Sequence, residues 1–435
     1  MLKSIASGLI AGCLALGCWA ADDEFADQDA VWQELDNVVP DDRETACPAA
    51  QAAGKAAVEI GRRLELFVDE FLVDDLTGGA IRRLHHPVPR EIVMHFGDQG
   101  MPWDQAIAHP TVVRDGERIL LYYRASFPKK NSGKKNVACV IESSDGINFT
   151  RPVLGLHDIS GMLPSVSNNN NIIWMSGPIN HFTPFLDTNP DASPDERFKA
   201  VARHPAGRMV PGALTAFASS DGLEWRMLYP EKAFGTHPSD SQNLAFWDSA
   251  RRHYVCYMRG RPEHRGGVRD VRYLTSPDFR DWTDPEFLEY TDERHDNLYT
   301  NGIHPYEGAP HILIGFPNRI VQHRIKVPGE PAGVNDVILM SSRDGVLFER
   351  WNEGFIRPGP GDENWTNRSY YPTANTVQTS HEELSLYWTE HNHLPTMRLR
   401  RGTLRVDGFV SINAGEQAGE MLTRPLIFSR RLSEV

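Results

Sequence analysis

Beyond about residue 60 the chain alternates short apolar runs with polar turns, and helical periodicity is almost absent. Two landmarks recur in register. The first is Ser-Ser-Asp-Gly with an aromatic residue four places after the Asp, at Asp145 with Phe149 and at Asp221 with Trp225. Looser copies stand at Asp278 with Trp282 and at Asp344 with Phe348, and a fifth, Asp407-Gly408-Phe409, lacks the distal aromatic. The Asp positions are 76, 57, 66 and 63 residues apart. Ahead of each lies a polar turn followed by a strand-like run: Ile119 to Tyr123, Phe198 to Val201, His253 to Tyr257, His311 to Phe316 and Leu384 to Trp388. Aromatic and β-branched residues after Asp, Gly or Pro turns read as strands after hairpins.

The pairing of landmarks predicts five four-stranded units, each with apolar faces that only a neighbour can cover. Radial stacking covers those faces and leaves short, protected edges. The spacing exceeds the roughly 40–45 residues of WD40 repeats. The expectation is therefore an all-β, five-bladed β-propeller over residues 61–412, with its ring closed by a strand from the Leu64 to Asp69 region. Residues 21–60, acidic and Ala-rich, read as a leader, partly helical or disordered, and 413–435 as a short C-terminal extension, the remnant of a β-sandwich. At the N-terminus Lys3, the apolar stretch Ile5 to Leu16 and the small residues Cys18 and Ala20 have the layout of a secretory signal peptide over 1–20, too short to span a bilayer. Gly12-Cys13 and Gly17-Cys18 leave lipoprotein anchoring as an alternative. Either route predicts a secreted or periplasmic protein without a membrane span.

Charge narrows the partners. The formal net charge is −13, and loss of Lys3 with the signal makes it −14, with 44 basic against 58 acidic side chains. So acidic a chain lacks the basic surface that nucleic acid requires. Cys47, Cys139 and Cys256 remain after cleavage, and the last two sit in apolar runs where Cys acts as a small buried hydrophobe.

The segments Leu66 to Asp74, Asp195 to Val201, Ser241 to Asp248 and Asp407 to Ser411 resemble secreted bacterial propeller proteins similar to glycoside hydrolase family 32, grouped with families 43, 62 and 68. The resemblance spans roughly Leu64 to Phe428 and implies the propeller fold and action on carbohydrate. It does not carry over sucrose or fructan hydrolysis. The invertase nucleophile motif is missing, with Met101-Pro102-Trp103-Asp104 and Ala108-His109-Pro110 in its place, and the Arg-Asp-Pro and Glu-Cys-Pro signatures are absent.

In such propellers substrate meets residues just before each innermost strand and at the end of each second strand. The second-strand ends are Arg124, Arg203, Arg259, Arg319 and Glu390. Arginines there either fork onto an anionic sugar or pair with acids between blades. The inner-strand starts are Trp103, Asp104 and His109, then Asn168 to Asn171, then His237, Asp240, Gln242 and Asn243, then Asn301 and His304, and last Arg368, Tyr370 and Tyr371. Rings that stack on pyranose faces and amides that read hydroxyls suit a saccharide pocket.

Glycoside cleavage normally uses two carboxyl groups. The candidates are Asp104 and Asp240, with Glu390 as acid and Asp187 in reserve. His391 and His393 beside Glu390, and His85-His86, raise a metal reading, but they form no closed ligand set, so neither metal nor cofactor is expected. The leading function is a glycosidase acting on an oligo- or polysaccharide, an anionic one foremost; the alternative is a carbohydrate-binding propeller without catalysis.

Overall fold

The computed structural model describes residues 55–104, 107–127, 136–175, 181–203, 213–235, 241–324, 327, 333–366, 369–392 and 394–429. The candidate residues His237, Asp240, Arg368 and His393, and the 1–20 segment, lie outside them. The chain forms two compact units, Leu84–Phe409 and the paired chain ends up to Arg83 and from Val410.

The larger unit is a five-bladed β-propeller. Counted outward, blade one is Ile107–Asp115, Arg118–Ser126, Asn136–Ser143 and Ile172–Trp174. Blade two is Thr183–Leu186, Phe198–Arg203, Leu214–Ser219 and Arg226–Met227. Blade three is Leu244–Asp248, His253–Gly260, Asp270–Ser276 and Glu286–Phe287. Blade four, His304–Tyr306, Ala309–Gly315, Met340–Ser342 and Leu347–Arg350, gains a fifth, parallel strand from Glu289–Tyr290. Blade five, Val377–Gln378, Glu383–Glu390 and Arg398–Arg405, is completed by Val88–His95.

That last strand corrects the expected closure. Leu66 to Phe71 has the apolar content of a strand but forms bends, and Val88–His95 pairs with Arg398–Arg405 instead. The outer edge of blade five is thus covered by chain from before blade one, so the last blade is built from both ends of the propeller sequence.

The second strands explain why the sequence reads as apolar runs. In Ile119 to Tyr123 every residue is buried, because both faces of the sheet are covered. Ile119, Leu121 and Tyr123 pack with Val377, Tyr387 and Leu399 of blade five. Leu120 and Tyr122 pack with Phe198, Phe217 and Trp225 of blade two. The two-residue period of a strand sends alternate side chains to the two neighbours.

The Ser-x-Asp landmark is the turn that ends the third strand of blades one to four. Ser143 Oγ donates to Asp145 Oδ1, which accepts the amides of Ile147 and Asn148 at 2.8 Å each. The same pattern recurs at Ser219–Asp221, Ser276–Asp278 and Ser342–Asp344. The Gly that follows meets the neighbouring blade: Tyr122 Oη donates to the Gly222 carbonyl at 3.0 Å and Tyr257 Oη to that of Gly345 at 2.8 Å.

Seam two–three departs from this. Phe279 replaces the glycine and keeps the left-handed backbone, φ 62°. Its ring, fully buried, packs on Phe185, Tyr254 and Trp282.

In the smaller unit Val58–Gly61 pairs in parallel with Leu426–Phe428, Val73–Gly78 pairs antiparallel with Gly419–Thr423, and Ile81–Leu84 joins Val410–Asn413. Val58, Ile60 and Leu72 form its core with Phe67, Phe71 and Leu426. Cys139 and Cys256 are buried free thiols. Among the described residues no helix is long and apolar enough to cross a membrane.

Candidate functional site

The chain approaching blade five runs parallel to the inner strand of blade one, as the bridge between Thr111 and Ala374 shows, and the repeating blade order sets the other inner strands alike, so their starts share one mouth. The second strands return to it: Arg124 lies opposite Ala108, and Tyr257 opposite Leu244.

At this mouth four rings converge from four blades. His109 and His181 meet edge to face with ring centroids 4.5 Å apart. Tyr371 stands 5.2 Å from His109 on another side, and Tyr299 lies 5.9 Å from Tyr371. Both histidines are only 2% exposed, and both hold left-handed backbone, φ 54° at His109 and 74° at His181. Such conformations cost a non-glycine residue about 1–3 kcal/mol and gather at functional sites. At His109 the cause is local: the ladder between the first two strands of blade one shifts register between Ala108 and Thr111, and the irregularity turns the ring inward.

Amides complete the mouth. Gln242 Nε2 donates to the Pro110 carbonyl at 3.1 Å, tying blade three to the residue after His109. Asn243 donates to the Ser241 carbonyl at 3.0 Å and accepts the Arg259 amide at 3.2 Å. The Arg259 and Arg269 guanidinium groups lie 5.0 and 5.4 Å from the Tyr299 ring centre, and Arg259 also donates to the Tyr299 carbonyl. Gln242, Met258, Arg259, Asp270, Tyr299 and Asn301 surround a crevice beside these rings that is too narrow to admit water.

Other expected residues lie elsewhere. Asp104 is fully buried, with Arg151 Nη2 at 2.8 Å and Tyr123 Oη at 3.2 Å. Burial lifts its carboxyl to about 6 although Arg151 and Tyr123 pull the other way. Trp103 donates to Asn171 at 3.0 Å, and Asn171 donates to Tyr123, so Trp103 and Asp104 belong to one buried network. Asn168 to Asn171 precede the outer strand of blade one, and His181 stands just ahead of the inner strand of blade two instead.

Asp187, at the far end of its inner strand, is ion-paired with Lys199 and accepts Tyr254 Oη at 2.7 Å. Glu390 is held by Arg398 at 2.7 Å and Arg400 at 2.6 Å. Burial opposes its ionisation, but the hydrogen bonds from Arg400 and Arg398 outweigh it and keep the carboxyl below its usual range.

Arg319 does not end a second strand, which stops at Gly315. It sits on the added hairpin Asn318–Val321 with Val334–Val337, where Asp336 takes it in a two-bond fork at 3.0 and 2.6 Å. His304, fully buried, donates from Nδ1 to the Gly302 carbonyl, 2.9 Å away, and burial drives its ring down to about 4. Tyr370 points its hydroxyl at the Pro358 carbonyl, 2.8 Å away, while its neighbour Tyr371 faces the axis. Among the described residues no group of three or more His, Cys, Asp or Glu is placed to hold a metal ion.

His181, Tyr299 and Arg269 were missed. Positions alone marked the mouth, and the segments leading to blades two and four are long enough to hide which residue arrives there.

No family model matches the chain, and no curated protein does. Solved structures similar to it include a glycosyl hydrolase from Bacteroides ovatus, 14% identical over 79% of this chain and 97% of that one, with a TM-score of 0.47. Another, described as from the GH130 family of mannoside phosphorylases containing hydrolases of β-1,2 mannosidic linkages in Candida mannan, is 15% identical over 73% and 93%, with a TM-score of 0.46. A third, an N-acetylgalactosamine deacetylase from F. plautii, is 13% identical over 78% and 95%, with a TM-score of 0.46.

Proposed function

We propose that this chain acts on an oligo- or polysaccharide held at the axial mouth, as a relative of the family 32, 43, 62 and 68 propellers exported to the periplasm or the medium. The observation that carries the reading is the convergence of His109, His181, Tyr299 and Tyr371 from four blades, with the Gln242 and Asn243 amides beside them. Rings present flat apolar faces to pyranose C–H groups, and amides with fixed partners read hydroxyls. The arginines of the second strands extend the reading to acidic saccharides.

Hydrolysis would need two carboxyl groups about 5–9.5 Å apart across the bond. Asp240, one residue before Ser241 and two before Gln242, is the carboxylate to test first, since Asp104, its expected partner, is buried against Arg151. A specific observation favours the second reading, saccharide binding without cleavage: Asp104, Asp187 and Glu390 each already hold a cationic side chain.

A glycan array combined with reducing-end release separates the two. Cleavage abolished by Asp240→Asn at unchanged melting temperature supports hydrolysis. Binding without release across the array supports the second reading, and absence of any binding sinks both.

A further inference from the structure

The four arginines expected at second-strand ends have different fates. Arg259 is tied to Tyr299, and Arg319 is paired with Asp336. Arg124 and Arg203, at equivalent ends of the second strands of blades one and two, make no hydrogen bond or ion pair among the described residues. Both are half-buried, and Arg124 Nε is wholly shielded from solvent.

The seams they face follow from register: Arg203 lies two residues beyond Val201, which packs with Tyr254 and Met258 of blade three, and so faces the seam of blades two and three. Arg124 lies two residues beyond Tyr122 and so on the same face of its strand, the face from which Tyr122 reaches Gly222 of blade two. Its cross-strand neighbours are Ala108 and Ala138, whose small side chains leave the guanidinium room. Ala108 precedes His109, so the group lies next to the axial rings along the chain.

A guanidinium stays charged at every working pH. Shielding one of its donors without an acceptor costs free energy that a ligand oxygen would recover. Carboxylate and sulfate oxygens match its planar fork with two parallel hydrogen bonds. In a chain of charge −13, long-range repulsion of a polyanion is overcome only by such a local positive site.

We propose that Arg124, at the seam of blades one and two, and Arg203, at the next seam round the mouth, read an anionic saccharide that carries a carboxylate or a sulfate ester there. The proposal rests on the saccharide reading above. Arg124 and Arg203 determine specificity and take no part in bond cleavage.

The test is calorimetric titration of the full chain with matched pairs: oligogalacturonides against their methyl esters, and sulfated against desulfated galactan oligosaccharides. One acid form is expected to bind at least about tenfold tighter than its neutral partner, as charge-assisted bonds would require. That ratio should collapse toward one in Arg124→Ala and fall in Arg203→Ala, with Arg124→Lys intermediate because it keeps charge but not the fork. Partial unfolding would weaken acid and neutral forms alike and leave the ratio intact, so it cannot imitate this result. Equal binding of acid and neutral forms, or a ratio that survives both alanine substitutions, overturns the proposal while the saccharide reading stands. If no saccharide binds the native chain, both fall.

Discussion

The hydroxyl of Tyr387 donates to the carbonyl of Gly146 across 2.7 Å, and this contact joins the last blade to the first. Gly146 holds φ 74°, and a Cβ there would stand 2.6 Å from Thr379 Cγ2 and 2.8 Å from Tyr387 Oη. The sequence landmark Asp-Gly is thus a seam as well as a turn.

Tyr387→Phe should lower stability by about 1–3 kcal/mol, since the buried carbonyl loses its donor. Gly146→Ala should lower it further, because left-handed strain is added to the clash. Urea unfolding measures both. Two variants within about 0.5 kcal/mol of the native chain, the range of ordinary surface changes, would show that the seam is not held this way.

Phe279→Gly sets two effects against each other. Glycine relieves left-handed strain of about 1–3 kcal/mol. Removing a fully buried ring that touches Phe185, Tyr254 and Trp282 loses about 3–5 kcal/mol. The expected outcome is a net loss in melting temperature; a gain would mean that the ring packs poorly.

Asp104 supplies a pH signature. Its folded carboxyl stands at about 6 against an ordinary 3.8, raised by burial. The folded state therefore binds a proton more tightly than the unfolded state, and stability rises as pH falls from about 6 toward 4. Asp104→Asn removes this titration while other carboxylates keep theirs. The native melting temperature should gain on that of the variant as pH drops from 7 to 4.5; parallel curves would contradict the assignment.

Glu390→Gln breaks a shielded cluster with Arg398 and Arg400. Loss of one partner from a buried pair costs about 3–5 kcal/mol. Marked destabilisation is expected, read by thermal melting. Unchanged melting with abolished activity would instead give Glu390 a chemical role.

The blade count was legible because every blade turns at an Asp after its third strand, four of them as Ser-x-Asp, and has a second strand buried on both faces, and those constraints leave residue patterns. Closure was not, because Leu66 to Phe71 and Val88–His95 both carry apolar residues, and only pairing with Arg398–Arg405 distinguishes them. Position near the mouth was legible for His109, Gln242 and Asn243. Direction was not: Tyr370 and Tyr371 are adjacent, yet only Tyr371 packs on His109. The ion pairs of Glu390 and Asp187 depend on cross-strand neighbours that no local motif records.

If saccharide is held at the axial rings, His109→Asn should weaken its hold. Asn tolerates the left-handed backbone that His109 adopts at φ 54°, so the ring is removed with little added strain. The measurement is calorimetric affinity for the best ligand from a glycan array, native chain against variant, with melting temperature as control. The expected result is a loss of at least about tenfold, the order of one lost stacking or hydrogen-bond contact, at a melting temperature near the native one. Full affinity in the variant would place the saccharide elsewhere.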